Sequence, residues 1–443
     1  MDIGVILAFV MFALFLALLL IGYNVAYCFA GTAVVFTFIG DLLGVFDPRD
    51  LTLLPSRWYP TLSDQTLLAI PFFVLMGAVL EQSGVAERLL RSIGMVMGNL
   101  RGGVAIAVVI VGTLLAAATG VVAATVIVMG LLSLPTMVKY GYSHKLATGV
   151  IVASGTLAQL LPPSLVLILL AQQMNISVLG LFRGALLPGI LLASLYAAYV
   201  ALVAWRRPEA APAMPKSERI YSGMGLLREV MVALVPPVLL IAAVLYAIFG
   251  GIATPSESGA VGALGALVLA AFNRKLTWGM IQKSTRSTAN IVILVMTLLF
   301  SSTFFAQVFE RLGGQGQATR WLSGVGGGKW GFVAVAMIAV FILGINLEFL
   351  EITFIVVPIF VPAMLALGFT EAEFIWFTVL MAINLNMAFI SPPVGFSLFY
   401  LQGVKPEGVT TASIHKGALP FMALQGLALV LVMAFPAIVT ILL

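Results

Sequence analysis

Runs of about 20 apolar residues, long enough to cross a hydrocarbon core about 30 Å thick, recur from residue 4 to residue 443 and are parted by short polar, glycine- or proline-bearing segments. The pattern predicts membrane-spanning helices over 4–22, 24–45, 66–83, 146–171, 181–205, 227–249, 254–272, 289–310, 373–401 and 417–442. Two further apolar stretches, 104–138 and 331–367, are too long for one ordinary helix and break near their middles, which predicts two helical hairpins. The expected architecture is an all-α polytopic membrane protein.

The polar, proline-broken segment from Arg206 to Glu229 is the one long hydrophilic connection, and it divides the chain. Residues 1–205 form an expected first repeat, 206–229 a cytoplasmic linker and 230–443 a second repeat. Each half has five crossings and one hairpin that enters and leaves on the same side, so the halves must insert with opposite orientation, as an inverted repeat. Individual residues carry a trace of the duplication. Pro135, Met137, Gly141 and Tyr142 match Pro362, Met364, Gly368 and Phe369 at a separation of 227, and Glu81 and Gly84 match Glu310 and Gly313 at 229. The pairs Pro162-Pro163 and Pro392-Pro393 follow at 230.

Composition agrees with a lipid solvent. Only 9% of the residues are charged and 62% are apolar, against about 25% and 45–50% in soluble domains. With the N-terminus outside, the predicted inner loops hold sixteen basic residues, from Arg88 to Lys416 and including Lys216 and Arg219, and the outer segments hold six, Arg49, Arg57, Arg183, Arg311, Arg320 and Lys329. That is the asymmetry expected of cytoplasmic loops, and it puts both termini on the periplasmic side. The net charge of +5 is spread over these loops and makes no basic patch for nucleic acid. The N-terminal apolar run has the length of a span and no basic region before it, so no cleaved signal is expected. The single cysteine, Cys28, is expected to be a packing residue, and His144 and His415 are expected in inner loops, too far apart for a metal site; no transition-metal site is expected.

Candidate chemistry lies where the helices break, because in hydrocarbon an irregular backbone persists only where protein, water or an ion satisfies it. The breaks are Ala118-Thr119-Gly120-Val121, Ser154-Gly155-Thr156 through Pro162-Pro163-Ser164, Gly344-Ile345-Asn346 through Glu351-Ile352-Thr353, and Asn384 through Ser391-Pro392-Pro393-Val394-Gly395. Paired prolines remove two donors and leave carbonyls free to hold a hard cation. Candidate sodium ligands are therefore Thr119, Gly120, Ser154, Gly155, Thr156, Gly344, Asn346, Asn386, Ser391 and Pro392, with Pro162, Pro163, Pro392 and Pro393 as the helix breakers. Prolines that merely kink the helices are the plainer alternative. Glu348 and Glu351 share one face if their backbone is helical, and either serve substrate or ion coupling or brace the hairpin. Glu257, three residues after Thr254 and preceded by Pro255, has the spacing of a capping box and marks a helix start.

Over nearly the whole chain the broken segments resemble the large membrane subunit of TRAP transporters, the DctM-like family of tripartite ATP-independent periplasmic systems. The resembling strings are Gly250-Gly251-Ile252-Ala253-Thr254-Pro255, Leu347 through Pro358 with Glu348, Glu351 and Thr353, and Ser391-Pro392-Pro393-Val394-Gly395-Phe396. The resemblance implies a bacterial inner-membrane protein that works with a small four-helix membrane subunit and a periplasmic substrate-binding protein. It implies sodium as the coupling ion, no permanently bound cofactor, an organic anion as substrate and an elevator-like transport domain. The first hairpin tip, Thr119-Gly120-Val121-Val122, departs from the serine-rich tip common in the family and shifts its cation site toward backbone carbonyls. A stand-alone sodium-coupled carboxylate symporter is the competing reading. An intramembrane enzyme is disfavoured, since the chain has no His-Glu-x-x-His helix and Phe38-Ile39-Gly40-Asp41 lacks the first glycine of a protease motif.

Overall fold

The computed structural model describes residues 2–215, 218 and 223–443, and the described residues are helical almost throughout. Eleven of the helices are long and apolar enough to cross a membrane, so the chain is a multi-pass membrane protein. Helices α1 (Ile3–Ile21) and α2 (Val25–Leu42) open it, followed by a short α3 (Leu54–Ser63) and the span α4 (Ala69–Gln82). The amphipathic α5 (Val85–Met97) leads into the first hairpin, α6 (Gly103–Thr119) and α7 (Val122–Lys139). Two pieces of a broken helix, α8 (His144–Thr156) and α9 (Leu165–Met174), precede the long α10 (Val178–Arg206).

The same order then recurs. Helices α11 (Gly223–Phe249), α12 (Pro255–Phe272), α13 (Trp278–Arg311) and α14 (Gly314–Ser323) lead to a second hairpin, α15 (Gly328–Gly344) and α16 (Phe349–Ala366). A second broken helix follows, α17 (Glu371–Phe389) and α18 (Phe396–Val404), then α19 (Thr411–Ala434) and the single turn α20 (Ala437–Thr440). The correspondence extends to backbone conformation. Gly84 and Gly313, Gly102 and Gly327, and Gly141 and Gly368 all have positive φ, at 72° and 84°, 76° and 93°, and 82° and 70°. Each pair turns the chain at an equivalent helix boundary in a conformation open mainly to glycine. The Pro162-Pro163 and Pro392-Pro393 bonds are cis.

Packing between the halves is reciprocal. Helix α4 packs on α12 while α13, its counterpart, packs on α2; α9 packs on α16 while α18 packs on α7. In each pair of contacts the two halves exchange roles. Close approach uses small residues, as expected where lipid gives helices no hydrophobic reason to associate. At the crossing of α8 and α19, a Cβ on Gly149 would stand 2.2 Å from the Gly417 carbonyl oxygen, and one on Gly417 would stand 2.3 Å from that of Lys145.

Several sequence expectations need correction. Hydropathy passes over α5 and α14, because α5 exposes Glu87 and Arg91 and α14 carries Gln315, Gln317 and Arg320. Helix α11 starts inside the expected linker at Gly223, where Glu229 accepts two hydrogen bonds from Arg88 of α5, at 2.7 and 3.1 Å. Helix α13 begins at Trp278 and so takes Lys283 and Arg286 out of the expected loop. His144 is the first residue of α8 and His415 lies in α19, its Nε2 3.2 Å from Gln402 Nε2, so neither is a loop residue. The last span stops at Ala434, before Pro436. Lys216, Arg219 and the middle of the linker lie outside the described residues. Cys28 is buried in α2. Thr254 Oγ accepts from the Glu257 N–H at 3.3 Å and Glu257 accepts from the Thr254 N–H at 2.8 Å, completing the expected capping box.

Gly149→Val should overpack the α8–α19 crossing and cost about 1–3 kcal/mol or more. Gly279→Ala, at a helical position with open space, should be neutral or slightly stabilising. Thermal unfolding of the two variants in detergent checks the difference.

Candidate functional site

At the first hairpin tip α6 ends on Thr119, Gly120 turns at a φ of 61°, and α7 starts at Val122. Thr119 Oγ1 and Thr125 Oγ1 lie 2.9 Å apart and tie the two arms together. A Cβ on Gly120 would stand 2.9 Å from the Leu165 nitrogen and 3.4 Å from the Ser164 Cα, so the tip rests on the start of α9. On the other side a Cβ on Gly77 of α4 would stand 2.6 Å from the Thr119 Cα. The tip therefore ends inside protein, against the break of its own half.

The second tip is built differently. Helix α15 ends at Gly344, whose missing Cβ leaves room for Ala388 of α17, and α16 starts after Glu348. Glu348 has extended backbone, with φ −73° and ψ 160°, so the expected shared helical face of Glu348 and Glu351 does not form. Instead the Glu351 carboxylate accepts the Glu348 N–H at 2.9 Å, which is the bracing role, and Tyr400 of α18 donates to Glu348 Oε1 at 3.2 Å. Gly395, at a φ of 31°, has no space for a Cβ, which would stand 2.8 Å from the Phe389 carbonyl oxygen.

Gly120 sets the start of α7 against that of α9, and the Tyr400–Glu348 hydrogen bond links α18 to the start of α16. Helix N-termini carry partial positive charge and last-turn carbonyls partial negative charge. In the second half Glu348 and Glu351 offset the positive ends. In the first, neither the tip 118–122 nor the break 160–165 contains a carboxylate. Access differs as well: Pro162 and Pro163 are buried, whereas Pro393 and Asn346 are exposed and Glu348, Glu351 and Pro392 are half-buried.

The structure distributes the remaining candidates unevenly. Ser154, Gly155 and Thr156 stay helical, and the first break spans 160–164 instead. Ser154 donates to the Val150 carbonyl and packs against Gly112, while Gly155 gives Val126 room to approach. Thr156 donates to the Ala153 carbonyl at 2.8 Å and accepts from Gln425 Nε2 at 3.2 Å, and the same amide lies 2.7 Å from the Tyr196 hydroxyl. Asn384 and Asn386 also remain helical, in α17, and the second break spans 390–395. Asn384 donates to the Met337 carbonyl at 2.6 Å. Ser391 is buried within the break.

The main polar feature of the site is a set of buried groups without hydrogen-bond partners among the described residues. They are both amide atoms of Gln159 and of Asn386 and the hydroxyls of Ser164 and Ser397. Gln159 and Ser164 flank the first break, and Asn386 and Ser397 flank the second. A buried unpaired polar atom costs about 1–3 kcal/mol. Pro162 and Pro163 also bring no N–H to the carbonyls of Ala158 and Gln159. This donor set of amide, hydroxyl and carbonyl oxygens suits a hard cation. Gln159, Ser397, Gln425 and Tyr400 were not singled out from sequence; an isolated amide inside an apolar run, as in Leu157-Ala158-Gln159-Leu160, is the signal that marks Gln159.

Residues 12–438 match the family described as tripartite ATP-independent periplasmic transporter, DctM component. The chain is 31% identical over 395 residues to the C4-dicarboxylate TRAP transporter large permease protein DctM of Pseudomonas aeruginosa, covering 89% of this chain and 90% of that protein. It is 28% identical to the isethionate TRAP transporter permease protein DctMQ of Oleidesulfovibrio alaskensis, covering 84% of this chain and 57% of that one. Among solved structures, the Neisseria gonorrhoeae antimetabolite efflux pump MtrF shares the fold at a TM-score of 0.58 and 15% identity, over 86% of this chain and 82% of that one.

Glu351→Ala should remove the brace and cost about 0.5–2 kcal/mol, the range for lost helix caps. Glu351→Gln keeps an acceptor and should restore most of it. Thermal unfolding separates the two, and a Gln variant that is stable but transports more slowly would assign the charge a role beyond bracing.

Proposed function

Because this chain belongs to the DctM-component family of tripartite ATP-independent periplasmic transporters, we propose that it carries an organic anion, a carboxylate first of all, across the bacterial inner membrane in exchange for the energy of a sodium gradient. The observation that carries the sodium reading is the set of unpartnered oxygens of Gln159, Ser164, Asn386 and Ser397 beside the two proline breaks. Sodium held there replaces hydrogen bonds that the protein does not supply. The anion is favoured by the paired starts of α7 and α9, positive ends with no carboxylate in either segment to offset them. Relatives named for C4-dicarboxylates and for isethionate make a small anion the chemistry to test first.

In this reading two inverted repeats place the hairpins and broken helices in a transport domain that moves against the remaining helices. The substrate arrives on a periplasmic binding protein, and a small four-helix subunit completes the membrane complex. Thr119, Gly120 and Thr156 support the first cation seat through the tip and the end of α8; Asn386, Ser391 and Pro392 line the second. Gly344, Gly155 and Ser154 act through packing, by letting hairpin arms approach the broken helices. Asn346, which is exposed, and Glu348 lie at the open tip, where water and substrate have access.

The test is uptake into proteoliposomes containing this chain and its small subunit, with the binding protein outside and a panel of C4-dicarboxylates. Uptake should require both the sodium gradient and the binding protein. Asn386→Ala and Gln159→Ala should each raise the sodium concentration for half-maximal uptake about tenfold, the equivalent of losing one hydrogen bond to a charged group. Uptake of free substrate by this chain alone would support the stand-alone symporter instead, and uptake indifferent to sodium would overturn the coupling.

A further inference from the structure

Away from the hairpins, a cavity of about 390 Å³ opens where α8 and α19 begin and α10 ends. Lys145, Arg206, Arg207 and Lys416 line it, and no acidic side chain does. Among the described residues none of these four cations has a carboxylate partner: the ion pairs at this end of the molecule are Arg88 with Glu229 and Lys139 with Glu218. The four charges converge for reasons set in the sequence. The Gly149–Gly417 crossing holds the N-terminal parts of α8 and α19 together, with the Lys145 backbone against Gly417, the residue after Lys416. Helix α10 delivers Arg206 and Arg207 at its C-terminal end, where cations are favoured by the helix dipole.

The inner wall is apolar and aromatic. Tyr199 and Phe421 meet edge to face with ring centroids 5.1 Å apart. Leu202 lines the cavity and is 42% exposed, and outside it the same helices present Trp205 and Leu419, with exposures of 77% and 46%. A tryptophan and leucines beside a ring of cations mark headgroup depth in a bilayer. The site lies at the end of the bundle where basic residues accumulate, the cytoplasmic end by the charge asymmetry.

We propose that this cavity binds the phosphate headgroup of an anionic phospholipid of the cytoplasmic leaflet, with its acyl chains lying along the lipid-facing sides of α10 and α19. Basic pockets between membrane helices recognise lipid phosphates in this way. The apolar flank favours a lipid over free phosphate, which would use only the cations. Such a lipid would clamp α8, α10 and α19, the three helices already joined by Thr156, Tyr196 and Gln425. The proposal is independent of the substrate and of sodium coupling.

Native mass spectrometry and thermal unfolding of the delipidated full chain in neutral detergent test it, with phosphatidylglycerol, phosphatidylcholine and sodium phosphate as probes. Phosphatidylglycerol should bind about tenfold or more tightly than phosphatidylcholine and raise the unfolding temperature, and phosphate should do neither. Arg206→Gln combined with Arg207→Gln should abolish the preference, Lys145→Arg combined with Lys416→Arg should keep it, and Arg274→Gln combined with Lys275→Gln, in another inner loop, should leave it intact. Equal binding of the two lipids by the native chain, retention of the preference without Arg206 and Arg207, or stabilisation by phosphate alone would overturn the proposal. The comparison of lipids on the native chain stands even if a variant fails to fold.

Discussion

A backbone amide or carbonyl in hydrocarbon has no water to bind, and this constraint governs the arrangement of the molecule. It allows the chain to break its helices only where something else covers the break. Gly120 rests on the nitrogen of Leu165, Gly77 closes against Thr119, and Gly344 makes room for Ala388. Each hairpin is thereby packed on the broken helix that follows it. The site is a consequence of that packing: two irregular segments per half, held together at membrane depth, are where unpaired oxygens accumulate.

The halves share this plan without being equivalent. The first break is sealed, its prolines buried and its tip stitched by Thr119 and Thr125. The second reaches the surface through Pro393 and Asn346 and carries its own carboxylates, one of them spent on a backbone N–H. The first break is thus closed and the second accessible.

Much of the architecture was legible from apolar runs and proline pairs, because span length is fixed by bilayer thickness and each proline takes a hydrogen-bond donor out of a helix. The hairpins, the two breaks and the capping box at Thr254 all follow from such local rules. What escaped depends on tertiary context. Helices α5 and α14 are amphipathic, so their charges hide them from hydropathy. The limits of the breaks were misplaced because Ser154 and Asn384 are polar yet remain helical, each bonded to a backbone carbonyl. Gln159 and Gln425 are single amides in apolar runs, and only the fold shows that the first is buried without partners and that the second joins Thr156 and Tyr196. The Gly149–Gly417 contact is invisible at the level of letters, since nothing in either helix names the other.

The reciprocal packing of the halves bears on how the protein is made. Helix α9 finds its neighbour in α16 and α7 finds one in α18, so the first 206 residues leave the ribosome with faces of their hairpin and broken helix uncovered. Those faces wait in the membrane for segments some two hundred residues further along the message. Insertion of the first half and completion of its fold are therefore separate events, and the interval between them is when the nascent chain depends most on lipid or on helper proteins to shield it.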